Sequence, residues 1–341
     1  MAASAAARGI RDVDANGAIG LIGAEPDRPY KRPPLSKDLW RGKPVDKIWL
    51  KMDRFGVDFH LGRTARVLDL QQKCVVDDRG ESYGFDSLLL ATGLTPRRLP
   101  VGGYRVIYYR TLHDYERLRQ ETAAGQRFAV IGGGFIGSEM AAALTLNDKQ
   151  ITMLFPEAGI GARIFPADLA AFLNDYYRER GVEVLAGNAV ADIAERGDRL
   201  VVTTRDVADG ATREIEVDGI VAGIGAEPNV DLARAAGLTV DNGIVVDEFL
   251  RTSHPDVYAV GDVANFWQPA LQQRRRVEHE DNALRMGRVA GRAMAGEREP
   301  YDHLPFFYSD LFDLGYEAVG ELDSRLQTLS DVNGLSEKGS F

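Results

Sequence analysis

A single cysteine, Cys74, stands in 341 residues, so the sequence holds no internal disulfide, no thiolate zinc cluster and no C-x-x-C redox pair, and it suits a reducing compartment. Long apolar runs are missing as well. No stretch approaches the ~18 residues needed to span a bilayer, and the alanine-rich start lacks the uninterrupted apolar run of a signal peptide. Positive charge is in deficit, with 41 Lys and Arg against 51 Asp and Glu and a formal net charge of −10, which argues against a nucleic-acid partner. These absences lead to the expectation of a soluble, globular, cytoplasmic protein with no metal and no membrane span. Cys74 reads as a core strand residue.

Glycine and apolar residues are plentiful, at 36 glycines and 45% hydrophobic, and the length suffices for two or three domains. The strongest signal is the stretch 127–157. Phe128 to Ile131 is short and apolar, as a strand buried on both faces of a parallel sheet should be. Gly132, Gly133, Gly134 and Gly137 follow at once, and a helix is expected from Ser138 to about Leu146. In that setting Gly132-x-Gly134-x-x-Gly137 provides a tight turn, close backbone approach to a pyrophosphate and close helix-on-strand packing, with the phosphates at the helix N-terminus. Gln150 to Phe155 is the second strand. Glu157, 20 residues after Gly137, arrives about where an acid meets the adenosine ribose. The absence of an arginine at that position favours NADH over NADPH, with Arg163 close by.

Residues 2–14 form a good helix, Asn16-Gly17 a turn, and Ala18 to Ile22 a short strand ending near Glu25. The same order of small-residue helix, turn, strand and acid occurs in 138–157. The strand and glycine loop that precede the helix in the intact copy have no counterpart in this sequence, so a first dinucleotide unit without them is expected. Residues 28–37 are dense in proline and basic groups and read as an extended, solvated loop. Residues 57–92 carry short strands, and 94–104 read as a linker. Pro166 to Arg180 is an amphipathic helix, Val182 to Ile224 holds several strands, Gly243 to Val246 crosses back, and Thr252 to Asp262 gives a strand ending in Gly-Asp. Glu278 to Met294 reads as a long helix, Phe306 onward as strand, and 330–341 as a polar tail.

In order along the chain, Pro29–Lys37, Ala91-Thr-Gly93, Gly132–Glu139, Leu154–Glu157, Gly225–Asn229, Val257–Asp262, Arg274–His279, Phe307–Asp310 and Gly315–Glu317 resemble the family of FAD-dependent, NAD(P)H-oxidising reductases with two dinucleotide domains. The branch they resemble is the apoptosis-inducing-factor-like and ferredoxin-reductase-like one. The resemblance spans residues 2 to about 325. It implies an α/β fold with two Rossmann-like dinucleotide-binding domains, the NAD domain (111–244) inserted in the FAD domain (1–110 and 245–302), followed by an incomplete C-terminal α+β interface domain (303–341). Truncation at both ends is expected, since the family's C-terminal domain continues after Glu321.

Residue by residue, the resemblance implies that Glu25 lies near the FAD adenosine ribose, Ala65 near the adenine, and Arg32 and Lys37 at the phosphates and the flavin edge. Arg110 contacts the flavin and Asp262 takes the ribitol chain. Glu278, His279 and Glu280 head a helix whose positive end faces the flavin pyrimidine and stabilises the anionic reduced ring. For NADH the implied set is Gly132, Gly133, Gly134, Phe135, Ile136 and Gly137 at the pyrophosphate, Glu157 and Arg163 at the adenosine end, and Gly225. Glu139 faces the nicotinamide, Tyr308 and Glu317 cover it, and Lys37 and Glu139 are the implied catalytic residues. Tyr308 stands where the apoptosis factor has a tryptophan.

The implied activity passes hydride from NADH to FAD N5, and then electrons to an external acceptor, either a small ferredoxin-type iron–sulfur protein or a quinone-like molecule. Arg274, Arg275 and Arg276 offer a docking patch for an acidic partner, with the protein a monomer or homodimer. Having no cysteine pair, the sequence departs from the thiol–disulfide branch of the superfamily. The alternative is an NADH-binding redox sensor or interaction protein with little turnover, its FAD site being truncated.

Overall fold

The computed structural model describes residues 1–329, so the polar tail expected at 330–341 lies outside the described residues. Two units are present, each assembled from separated segments. One comprises 1–31, 45–95 and 227–307, and the other 32–44, 96–226 and 308–341.

The first unit starts with helix α1 (Ala2–Val13) and turns at Asn16 and Gly17, whose N–H groups both donate to Asp14 Oδ1 at 2.9 Å. The chain then enters strand β1 (Ile19–Gly23), which pairs in parallel with β2 (Val57–Leu61), Ile19 opposite Val57. An antiparallel meander of β3 (Ala65–Asp69), β4 (Cys74–Asp77) and β5 (Ser82–Gly84) leads to β6 (Leu88–Leu90) and β7 (Leu94–Pro96). Cys74 begins β4 half-buried rather than in the core.

In the second unit, β8 (Val106–Tyr108) and α2 (Leu112–Ala124) precede β9 (Arg127–Ile131), α3 (Phe135–Thr145), β10 (Gln150–Phe155), α4 (Ala167–Glu179) and β11 (Glu183–Ala186). A second meander, β12 (Asn188–Arg196), β13 (Arg199–Asp206) and β14 (Thr212–Val217), is followed by β15 (Gly219–Ala222) and β16 (Ala226–Pro228). The sheet order is β11-β10-β9-β15-β8, all parallel, which puts β9 at the centre. Phe128 to Ile131 are 4% exposed at most, the burial that a strand covered on both faces requires. Helix α2 starts with a reciprocal cap between Thr111 and Asp114.

Returning to the first unit, the chain forms α5 (Asp231–Ala235), β17 (Ile244–Val245), β18 (Val257–Ala259), β19 (Ala264–Gln268), β20 (Gln273–Arg275) and α6 (Glu280–Met294). β18 lies parallel to β6. Among the described residues β1 pairs with β2 alone and β6 with β18 alone, whereas β9 in the second unit has a partner on each side. The small residues of α1 are explained by α6. A Cβ at Gly287 would sit 2.3 Å from the Ala2 carbonyl oxygen and one at Gly291 2.1 Å from that of Ala6, so the two backbones touch. An Asp12–Arg288 ion pair at 2.9 Å joins the same helices. The last strands among the described residues are β21 (Phe306–Leu311) and β22 (Leu314–Val319), which pair as a hairpin.

The proline-rich stretch departs from the extended loop expected of it. Pro33–Ser36 and Asp38–Arg41 are 3-10 turns, and Leu35, Ser36, Leu39 and Trp40 are buried. A proline φ near −65° suits the first turn of a helix as well as it suits an extended path, and Pro33 occupies that first position.

Candidate functional site

The glycine loop leaves β9 through Gly132 at φ +112, a left-handed-side conformation in which a Cβ would stand 2.3 Å from the Gly223 carbonyl oxygen. Gly137 supplies the close approach: its Cβ would lie 1.9 Å from the Gly132 carbonyl oxygen, so α3 rests directly on the loop. A Cβ on Gly133 would meet the Phe155 ring at 2.9 Å. Gly134 differs from all three. It caps α3 at φ −83, is exposed, and has no atom within 4 Å of where a Cβ would be. Open space in front of unpaired helix N–H groups is what an anionic pyrophosphate needs, so these residues fit a dinucleotide. Phe135 and Ile136 follow, half-buried.

One turn further along α3, Glu139 is 5% exposed and points into a cluster of donors. Its carboxylate pairs with the Lys37 ammonium and accepts hydrogen bonds from Ser36 Oγ at 2.5 Å and Ser309 Oγ at 2.6 Å. Charge-assisted bonds from two separate segments, the turn at Ser36 and Lys37 and the strand at Ser309, satisfy an anion that burial would otherwise make costly. Lys37 also lies 5.6 Å from the centroid of the Tyr308 ring. The turn that delivers Lys37 is fixed from behind, where the Leu35 carbonyl accepts from Trp40 Nε1 at 2.9 Å and from the Tyr109 hydroxyl. Beneath α3, the fully buried Tyr177 donates to the Ser138 carbonyl at 3.0 Å, and burial, with the Glu139 carboxylate nearby, pushes its phenol well up. Arg32 donates to the Arg110 carbonyl at 2.8 Å, so these two predicted residues meet.

At the far end of the loop, Glu157 follows β10, and its Oε1 accepts from two nitrogens of Arg163, Nη2 at 2.6 Å and Nε at 2.9 Å. Gly225 at φ +93 follows β15, its carbonyl accepting from the Arg97 N–H at 2.9 Å.

The first unit carries the remaining predicted residues. Glu25 is half-buried and accepts from the Tyr30 hydroxyl, and Ala65 opens β3 opposite Asp77. Asp262 sits in the turn after β18, where its carbonyl accepts from Arg276 at 3.0 Å, and Arg276 in turn pairs with Glu278 at 2.6 Å. His279 caps α6 by accepting from the Asp281 N–H at 3.3 Å, and Glu280 is the first residue of that helix. Arg274 donates to the Val246 and Asn265 carbonyls. No cluster able to hold a metal ion and no helix long and apolar enough to cross a membrane occurs among the described residues.

Three contributors escaped the sequence reading. Ser36 and Ser309 complete the Glu139 cluster, and Tyr316 on β22 stacks on Phe135 at 6.2 Å and 28° while meeting Phe165 edge-on at 5.0 Å. Glu317, one residue further, is exposed, as strand alternation requires. Only the alternation of β21 and β22 could have marked Ser309 and Tyr316 as facing inward.

Residues 1–287 match the family model described as pyridine nucleotide-disulphide oxidoreductase, and residues 290–339 match the one described as apoptosis-inducing factor, mitochondrion-associated, C-term. Monodehydroascorbate reductase 3 of Arabidopsis thaliana is 33% identical over 95% of this chain and 80% of its own length. The ferredoxin reductase subunit of 5,5'-dehydrodivanillate O-demethylase from Sphingobium is 36% identical, covering 91% and 77%. Among solved structures, the chain resembles putidaredoxin reductase in its covalent complex with putidaredoxin, with a TM-score of 0.87 and 33% identity over 94% of this chain and 79% of that one. This likeness gives the mixed α/β fold of FAD- and NAD-dependent reductases.

Proposed function

Because the chain belongs to the pyridine nucleotide-disulphide oxidoreductase family, we propose that it is an NADH-oxidising flavoprotein that passes electrons to an external acceptor. The observation that carries this reading lies in the second unit: a dinucleotide glycine loop opens a helix that, one turn on, presents a buried carboxylate paired with an ammonium group.

On this reading the 132–137 loop and the α3 N-terminus hold the coenzyme pyrophosphate, and Glu157 accepts from the ribose hydroxyls. The carboxylate favours NADH, since it repels a 2′-phosphate. Glu139 and Lys37 orient the nicotinamide end, with Tyr308 and Glu317 covering it. We assign Glu25, Ala65, Asp262, Glu278, His279 and Glu280 in the first unit to FAD contact, with the NAD domain an insertion in the FAD domain. The N-terminus of α6, 15 residues long, offers a positive potential to a reduced ring. FAD, when bound, supplies the hydride acceptor and the store from which electrons leave.

The relatives' names support two acceptor classes, a ferredoxin-type protein and a small oxidised molecule. Of the expected docking residues Arg274, Arg275 and Arg276, Arg274 is exposed whereas the Arg276 side chain is 11% exposed and paired with Glu278, so we assign docking of an acidic protein partner to Arg274 alone. Cys74 alone gives no cysteine pair for thiol–disulfide chemistry, and we place the protein in the cytoplasm. The test is absorption spectroscopy of FAD-loaded protein without oxygen. NADH bleaches the flavin band if the reading holds, and an unchanged spectrum at saturating NADH overturns it.

A further inference from the structure

Asn174 lies inside α4 and is 6% exposed, although asparagine is a weak helix former and an amide is costly to bury without partners. Both of its partners belong to one loop outside the helix. Asn174 Nδ2 donates to the Ala158 carbonyl at 3.0 Å, and Oδ1 accepts from the Ile160 N–H at 3.0 Å. Only one orientation of the amide satisfies both bonds, with its nitrogen toward the carbonyl and its oxygen toward the N–H. Between the two clamped residues stands Gly159, where a Cβ would lie 2.8 Å from both the Cβ and the carbonyl oxygen of Ala170. Loop and helix backbones therefore touch at that point.

The clamped loop connects the two ends of the expected coenzyme cradle. On one side is Glu157, whose carbonyl accepts from the Gly187 N–H at 2.9 Å. On the other side the Gly161 N–H donates to the Gly133 carbonyl at 2.8 Å, within the glycine loop itself. A carboxylate bonds a hydroxyl only over about 2.5–3.0 Å, so a shift of this loop by about 1 Å is enough to forfeit a ribose contact.

We propose that Asn174 is a positioning residue that fixes the Glu157 carboxylate against the coenzyme ribose and thereby contributes to the choice between NADH and NADPH. This rests on the dinucleotide reading of the α3 loop and deepens it. Asn174 acts through the loop, since its own amide is engaged by Ala158 and Ile160.

Asn174→Ala removes both bonds. Asn174→Asp is isosteric, keeps an acceptor for the Ile160 N–H and sets an oxygen against the Ala158 carbonyl, so it loosens the Glu157 side while the helix stays anchored. The first measurement is the dissociation constant of adenosine monophosphate by calorimetry, which reports the adenosine half alone. The second is kcat and KM for NADH and for NADPH with FAD-loaded protein and ferricyanide as acceptor. Asn174→Ala should bind adenosine monophosphate roughly three- to tenfold more weakly. Its KM for NADH should rise by a similar factor at unchanged kcat, the signature of lost uniform binding. In both variants the ratio of kcat/KM for NADPH to that for NADH should rise, because a displaced carboxylate no longer rewards the 2′-hydroxyl or repels a 2′-phosphate. A merely structural role would lower the melting temperature and leave that ratio at the parent value. An adenosine monophosphate affinity or a coenzyme ratio equal to the parent's in either variant overturns the assignment of Asn174 while leaving the dinucleotide site standing. A parent protein that binds neither adenosine monophosphate nor NADH overturns the dinucleotide reading and this inference with it.

Discussion

Lys37 and Glu139, 102 residues apart in sequence, form a buried ion pair whose side chains are only 11% and 5% exposed. Breaking a buried pair by removing one partner costs about 3–5 kcal/mol because the other charge is left uncompensated. Here two serine hydroxyls still serve Glu139, so the lower end applies. Lys37→Ala should therefore lower the melting temperature and slow flavin reduction by at least about tenfold, with NADH affinity changed much less, since the positive group acts where negative charge develops. Stopped-flow reduction and an NADH titration separate the two effects. Equal reduction rates would make Lys37 a structural charge. Lys37→Met combined with Glu139→Gln should regain stability without regaining rate.

Gly134→Val is expected to abolish NADH binding with little change in melting temperature. At φ −83 with open space around the missing Cβ, the backbone accepts a side chain, and only a ligand would be displaced. The structure refines the sequence argument here, since steric intolerance of the fold belongs to Gly132 and Gly137. Circular dichroism melting and fluorescence titration check both halves, and retained NADH affinity would move the pyrophosphate elsewhere.

Glu157→Arg should raise kcat/KM for NADPH relative to NADH. Replacing the carboxylate removes its bond to the ribose 2′-hydroxyl and releases Arg163, now paired with Glu157, toward a 2′-phosphate. A fixed ratio of the two kcat/KM values would place the ribose contact at another residue.

Asp77 predicts a pH dependence of stability. Burial works against its ionised form, but the Arg79 and Glu81 N–H groups, Arg63 and the Tyr83 hydroxyl outweigh that and hold its pKa down to about 2 from 3.8. A depressed folded pKa means the stabilisation is fully present above pH 3.8 and is lost as pH falls toward 2. Asp77→Asn should thus melt lower than the parent at neutral pH, and the gap should close between pH 4 and 2. A gap independent of pH over that range would mean the loop depends on hydrogen-bond geometry rather than on charge.

The central βαβ unit was legible in the sequence because each cue is local. The strand Gln150–Phe155 has the expected bounds, and α3 begins three residues earlier than expected, at Phe135, because the loop closes at its capping glycine. The Glu139 cluster was half legible. Glu139 and Lys37 came from the family pattern, whereas Ser36 and Ser309 reach the same carboxylate from 103 and 170 residues away, a distance over which periodicity carries no information. The turn at Pro33 was misread because proline fixes φ but leaves ψ open, and the burial of Leu35 and Trp40 decided it. Tyr316 was passed over because an aromatic in a strand is usually core, which is where the structure puts its shielded hydroxyl.

The most direct test of the account is anaerobic mixing of FAD-loaded protein with NADH while the flavin absorbance is followed. The account predicts full bleaching at one NADH per bound FAD, and recovery of the band when a ferredoxin-type protein or a quinone is added. An absorbance that stays constant while NADH binding is verified by fluorescence in the same sample would contradict it, leaving a coenzyme-binding protein without electron transfer.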